Sequence, residues 1–355
     1  MPRKLASIQV INAVEPIDGA DKIELVRVLG WQCVTQKSNN FKVGDKVCYF
    51  EIDSMIPTPA GSPFEFLKKK PEDTQARLRT IRLKKKLSQG LVLPLETLGL
   101  SDVAEGDDVS ERLGITLYEP EVPAHLRGVV KGQFPHFLVK TDETRIQTCP
   151  GVLERNMGKL IYITEKLDGS SLTAYYYNLS MDGKLPFTDE QRARGYAFGV
   201  ASRNLELEFS EDNAYWKAII KYDLESKLHN LNRNIAIQGE LYGAGLNANR
   251  LQQTTANLAL FNVYNLEDKK YFGYQEFNDI IDVLGVPKVP VIASNIPLSY
   301  TVDQLVTYSM GQSVINSACK REGIVIRTMV DDYDKDLGRF SFKVINPDYL
   351  IHHGE

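Results

Sequence analysis

The chain has 355 residues, 43% hydrophobic and 25% charged, with a formal net charge of −4; that is enough for two domains with their own cores and too ordinary for a disordered or fibrous protein. No apolar run approaches the roughly 18 residues of a membrane span, and Met1-Pro2-Arg3-Lys4 lacks the long apolar stretch of a secretory leader. Cys33, Cys48, Cys149 and Cys319 lie far apart without C-x-x-C spacing, which argues against structural zinc and for reduced thiols in a cytoplasm, or in a nucleus were the source eukaryotic. A monomer that keeps off membranes is expected.

Residues 1–110 read as short strands with tight turns. Leu25-Val26-Arg27-Val28-Leu29 breaks at Gly30, and Trp31-Gln32-Cys33-Val34 resumes the extended pattern. Gly44-Asp45 is a turn feeding a strand through Phe50, and Leu91-Val92-Leu93 is stopped by Pro94. Such spacing predicts a small closed all-β barrel. Within it Lys68-Lys69-Lys70, Arg77, Arg79, Arg82 and Lys84-Lys85-Lys86 crowd together, opposed by Glu72 and Asp73. A local basic face of this kind serves nucleic acid even when the total charge is negative. The alternation in Arg77-Leu78-Arg79-Thr80-Ile81-Arg82-Leu83 favours one strand presenting Arg77 and Arg79 on one face.

Residues 111–134, following the acid-rich Glu105-Gly106-Asp107-Asp108 and containing Pro120 and Pro123, read as a linker, and 135–355 as a second domain. Its most informative stretch is Glu165-Lys166-Leu167-Asp168-Gly169, a lysine placed between a β-rich run and a turn. Alone it is an ordinary surface turn. A lysine becomes a nucleophile when burial or neighbouring cations lower its pKa. Strand-like segments follow in order: Ser202-Arg203-Asn204, Ile235 to Gly243 with Glu240 between glycines, Leu258 to Tyr264 with Phe261 at its centre, Arg321 to Arg327 with Glu322, and Phe340 to Asn346 with Lys343. Helical spacing is predicted over 213–231 (Trp216, Ile219, Ile220, Leu224, Leu228) and over 266–284 (Phe272, Phe277, Ile280, Ile281, Leu284). The expected architecture of this domain is α+β, two packed antiparallel sheets with helices outside.

In this order the six segments resemble the covalent nucleotidyltransferases, the ATP-dependent DNA and RNA ligases and mRNA capping enzymes, over residues from near 135 to near 350. An OB-like module placed first, with only about a dozen residues following Lys343 and so no room for a second one, resembles the RNA ligase branch of the Naegleria type; a DNA ligase or GTP-using capping enzyme, whose OB domain comes last, is the enzymatic alternative, and an RNA-binding protein with a degenerate nucleotide site the non-enzymatic one. The resemblance implies that ATP adenylylates Lys166, that AMP passes to a 5′-phosphate, and that a 3′-hydroxyl then seals the RNA, at a nick or break in a duplex or in an RNA/DNA hybrid, as in RNA repair. It implies nucleotide contacts from Glu165, Leu167, Arg203, Glu240, Phe261, Glu322 and Lys343. Asp168, Glu240 and Glu322 would organise Mg²⁺ or Mn²⁺, whose charge would depress the Lys166 pKa. Arg145 would hold a phosphate, unless paired with Asp142 or Glu143. Arg77, Arg79 and Arg82 would bind the strand. Where the family often has two lysines in the last segment, Ser341 and Ile345 flank Lys343; Arg339 and Arg327 are the candidates for the second cation.

Overall fold

The computed structural model describes residues 3–119, 129–180, 187–246 and 248–354. The N-terminal module is a curled sheet in the order Trp31–Gln36, Ile23–Val28, Ala6–Pro16, Lys46–Phe50, Leu91–Pro94, every pair antiparallel. Leu29, with φ 53, and Gly30 make the predicted first turn, and Gly44, with φ 94, the second. Alternation buries Ile8, Cys48 and Phe50 on one face and Ile11, Val26, Cys33 and Tyr49 on the other. The sheet curls as a half-barrel, in keeping with the small OB-like barrel expected. Its end strands meet where Gln89 N donates to Gln32 O at 2.8 Å.

The module runs further than 110. Val109 and Ile115 belong to its core, and Thr116–Leu117 pairs with Ser54–Met55. The second domain also starts early, because Val130–Gln133 pairs with Leu205–Leu207. Most of what separates them, including Pro120 and Pro123, lies outside the described residues. The expected single strand over 77–83 is two: Gln75–Arg77 pairs with Ser54–Pro57, while Ile81–Leu83 turns back on Lys86–Ser88 as a hairpin through Lys84 and Lys85, both at positive φ.

The second domain has the expected two sheets. One is antiparallel, in the order Val130–Gln133, Leu205–Leu207, Tyr196–Ala201, Ser170–Asn178, Ile235–Gly243, Ala256–Asn265, Lys270–Tyr271. The other runs Thr144–Arg145, Ser341–Ile345, Gly323–Thr328, Leu160–Lys166, Val291–Pro297; its first pair is parallel, with Arg145 in register with Lys343, and the others are antiparallel. The helix expected over 213–231 is two, Ala214–Lys221 and Leu224–Leu231, because Asp223 takes a left-handed φ of 51, a conformation Asp tolerates better than most residues. The spacing survives the break since both helices turn Trp216, Ile219, Leu224 and Leu228 into one core. Over 266–284 the helix begins only at Tyr274; the Asn265 side chain accepts from Glu267 N and Asp268 N, closing a turn.

The two domains dock on each other. Gly30 N donates to Gln147 O at 2.9 Å, and a Cβ on Gly30 would stand 2.8 Å from Gln147 Cα, so glycine lets the backbones touch. Ile52 of the first domain packs with Ile345 and Leu350 of the second, and Arg27 bonds Asp303 at 3.1 Å.

Candidate active site

A groove of about 710 Å³ opens between the two sheets and is lined by Lys166, Asp168, Arg203, Glu240, Phe261, Glu322 and Lys343. Pairing explains the convergence. Lys166 ends its strand opposite Gly323, one residue from Glu322, and Val325 on the same strand lies opposite Lys343. Gly169 then carries the chain into the other sheet, where Ser171 lies opposite Glu240. A Cβ on Gly169 would sit 2.4 Å from Leu241 O, so this turn requires glycine.

Lys166 Nζ donates to both carboxylate oxygens of Glu322 at 2.7 Å. Burial pulls the Lys166 pKa down, but Glu322, Glu240 and Asp168 outweigh it and raise the value above the ordinary 10.5. Without a bound cation the group is therefore held as an ammonium, and the expected depression falls to the divalent cation. Lys343 is the depressed one, brought to about 7 by burial and by the charges of Arg145 and Lys166. Glu240 rises to about 8, chiefly through burial.

A carboxyl protonated in the folded state and ionised in the unfolded one favours folding fully below pH 4.5, and that contribution is lost as pH rises toward about 8. Glu240→Gln, which never ionises, is expected to lose less thermal stability than wild type between pH 5 and 9. Parallel melting profiles of the two proteins would contradict this.

The remaining expected residues are placed as follows. Phe261 is half-buried over a small cluster containing Leu167, Leu251 and Val289. Arg203 is exposed at the rim and paired with Asp142. The buried Glu165 carboxylate accepts from Val314 N at 2.7 Å. Arg145 pairs with neither Asp142 nor Glu143; it reaches Asp53 of the N-terminal module at 3.4 Å and lies 6.0 Å from the Trp31 ring. Of the two candidates for the second cation, Arg339 bonds Asp331 at 3.1 Å, while Arg327 bonds Glu143 at 3.0 Å and lines the groove 5.8 Å from the Phe261 ring. The cation in register with Lys343 is Arg145 itself.

Arg77 bonds Asp53 at 2.8 Å and stacks 3.9 Å from the Tyr118 ring. Arg82 pairs with Asp348 of the last helix, Pro347–His353, while Arg79 is exposed. Three participants escaped the sequence reading. Arg250 stands 3.8 Å from Asp168 and donates to the Tyr349 hydroxyl at 3.3 Å; Tyr118 lines the groove. Isolated in loops or helices, they carry no local signal.

Among the described residues no three carboxylate, imidazole or thiolate groups form a ready-made metal cage, and no helix is long and apolar enough to cross a membrane. The oxygen donors of Asp168, Glu240 and Glu322 nevertheless fit a hard divalent cation that keeps several waters, and as three carboxylates acting on one ammonium they leave negative charge to be balanced.

Fold and groove define a nucleotidyltransferase domain behind an OB-fold module. Residues 5–95 match the profile of an OB-fold domain and residues 159–345 that of RNA ligase. The chain is similar to solved structures of Naegleria gruberi RNA ligase: a lysine-to-alanine mutant with ATP and Mn has 35% identity and a TM-score of 0.85 over 98% of each chain. The enzyme with PPi has the same identity and TM-score over 99% of each, and a lysine-to-methionine mutant with AMP and Mn again matches at 35% and 0.85 over 98% of each. No curated protein sequence matches. The chain belongs to the RNA ligase family.

Proposed function

We infer that this chain is an ATP-dependent RNA ligase that joins 3′-hydroxyl and 5′-phosphate ends through a lysyl-AMP on Lys166, acting as a monomer on nicked or broken duplex RNA in repair. The observation that carries this reading is Lys166 Nζ held 2.7 Å from both oxygens of Glu322 in a groove that Lys343 also lines. The related Naegleria gruberi enzyme has been solved with ATP, AMP, PPi and Mn, the ligands that such a reaction uses.

ATP enters the groove with its base toward Phe261 and its α-phosphate toward Lys166. Lys343 meets the incoming phosphates with positive charge. Glu322 already accepts from Nζ and lies where the leaving proton goes. The amine forms an N–P bond to the α-phosphorus, and the P–O bond to pyrophosphate breaks. AMP then moves to the RNA 5′-phosphate, regenerating the lysine, and the 3′-hydroxyl displaces AMP. When bound, a divalent cation at Asp168, Glu240 and Glu322 supplies charge that competes with the ammonium for these carboxylates and offsets charge on the phosphates. Free cysteines support a cytosolic setting.

Incubation with ATP or GTP labelled at the α-phosphate tests the nucleotide, with label expected on protein from ATP. Sealing of nicked duplexes with ribose or deoxyribose on either side of the nick tests the strand. Transfer from GTP alone, or sealing confined to DNA, would overturn the reading.

The exposed hairpin is the better candidate for the strand-binding surface. Arg77 is engaged inside the protein, whereas Arg79 and Lys84-Lys85-Lys86 are exposed on or beside the hairpin. The hairpin neighbours the last helix through Arg82 and Asp348, and that helix reaches Arg250 beside Asp168 through Tyr349. It therefore flanks the groove. Neutralising Arg79, Lys84, Lys85 and Lys86 is expected to weaken duplex binding and to flatten the slope of log affinity against log salt by about 0.9 for each phosphate no longer neutralised. An unchanged slope in filter-binding titrations would remove the hairpin from the interface.

A further inference from the structure

Asp53 belongs to the N-terminal module, yet it sits where that module meets the nucleotide groove. Its backbone takes φ 70, a left-handed conformation uncommon outside glycine, asparagine and aspartate. Its carboxylate is mostly buried and faces Arg77 at 2.8 Å, Arg145 at 3.4 Å and Arg3 at 3.7 Å. Arg3 is shared with Glu51 at 3.0 Å. Two carboxylates thus hold three guanidinium groups together in a partly desolvated place, where an unbalanced charge is costly.

Two of these guanidinium groups lead to the groove. Arg145 forms with Thr144 the short edge strand beside Ser341–Ile345, in register with Lys343, and Lys343 lines the groove. Arg77 stacks on Tyr118, whose N–H donates to the Asp53 carbonyl at 2.8 Å; Tyr118 lines the groove as well. One residue from the OB-fold module therefore fixes a wall and a lip of the nucleotide site.

We propose that Asp53 is a positioning residue for nucleotide binding, holding Arg145 behind Lys343 and Tyr118 at the groove's edge. Without the Asp53 charge, Arg77, Arg145 and Arg3 repel one another around Glu51. Arg145 then shifts against Lys343, and the triphosphate loses an ordered cation where it binds, which acts on KM more than on the maximal rate.

The proposal rests on the ligase reading, and wild-type labelling by ATP establishes that reading first; the variants then test Asp53 separately. In the full-length protein, Asp53→Asn is expected to raise the apparent KM for ATP in lysine adenylylation about tenfold while lowering the maximal rate less than about threefold. Arg145→Lys keeps the charge but loses the planar fork, and should show the same split. Combining it with Asp53→Asn should add little, since both remove one interaction. Asp53→Glu should recover part of the wild-type KM. A purely structural role would lower the melting temperature and the fraction of active protein while leaving KM for ATP unmoved in each variant, and that result would overturn the proposal. Full additivity of the two changes would overturn it too. Should Asp53→Asn fail to fold, Arg145→Lys and Asp53→Glu still decide: an unchanged KM in both refutes the positioning role.

Discussion

Lys166→Ala is expected to abolish labelling of the protein by α-labelled ATP, a loss of at least about 10³-fold, because it removes the amine that forms the N–P bond. Sealing of ordinary 5′-phosphate ends should vanish with it. Phosphodiester formation on a strand already carrying AMP should persist at a reduced level, since that step needs no lysine to be adenylylated. The change also alters charge. Lys166 holds down the pKa values of Glu322 and Glu240, and without it both carboxyls shift further toward the protonated form. The mutant's stability should therefore fall as pH rises, so its folding is best compared with wild type near pH 6. Denaturing electrophoresis after incubation with labelled ATP decides the matter. Label remaining on another lysine in the mutant would sink the assignment of Lys166.

The nucleophile segment and the carboxylate and lysine segments after it were legible because each combines a residue type that phosphoryl transfer requires with a strand that presents it. Their order along the chain restricts the fold more than any one does. What the sequence left hidden depends on distant partners. Glu322, 156 positions from Lys166, together with Glu240 and Asp168, sets the direction of its pKa, and no local reading sums those charges. Arg145 pairs with a residue 92 positions earlier, in the other domain, whereas its neighbours Asp142 and Glu143 were the obvious candidates and went instead to Arg203 and Arg327. Arg77 looked like part of a solvent-facing basic strand, but the chain departs from that strand after Arg77 and Asp53 captures its guanidinium. The helix break at Asp223 was invisible to periodicity because both halves keep their apolar residues on one core.

Asp168→Asn, Glu240→Gln and Glu322→Gln should each lower the rate of lysine adenylylation by about 10²-fold or more, the scale of losing one preorganised charge at a transition state. Each amide keeps the shape of the side chain it replaces, so loss with an intact fold reports charge. Glu322 makes the most demanding test because two effects of its removal oppose each other. Its carboxylate contributes strongly to raising the Lys166 pKa, so Glu322→Gln lowers that pKa and increases the fraction of free amine near neutral pH. Were amine supply the only barrier, this mutant would be faster than wild type. The expected outcome is a slower enzyme whose rate levels off at a lower pH, because the same carboxylate also organises charge around the reacting phosphate. A chelator should stop AMP transfer in wild type, and Mg²⁺ or Mn²⁺ should restore it. Single-turnover AMP transfer measured across pH, with and without chelator, separates the two effects. A Glu322→Gln enzyme faster than wild type at neutral pH would assign the residue to restraining the lysine, and full activity in chelator would take the divalent cation out of the reaction.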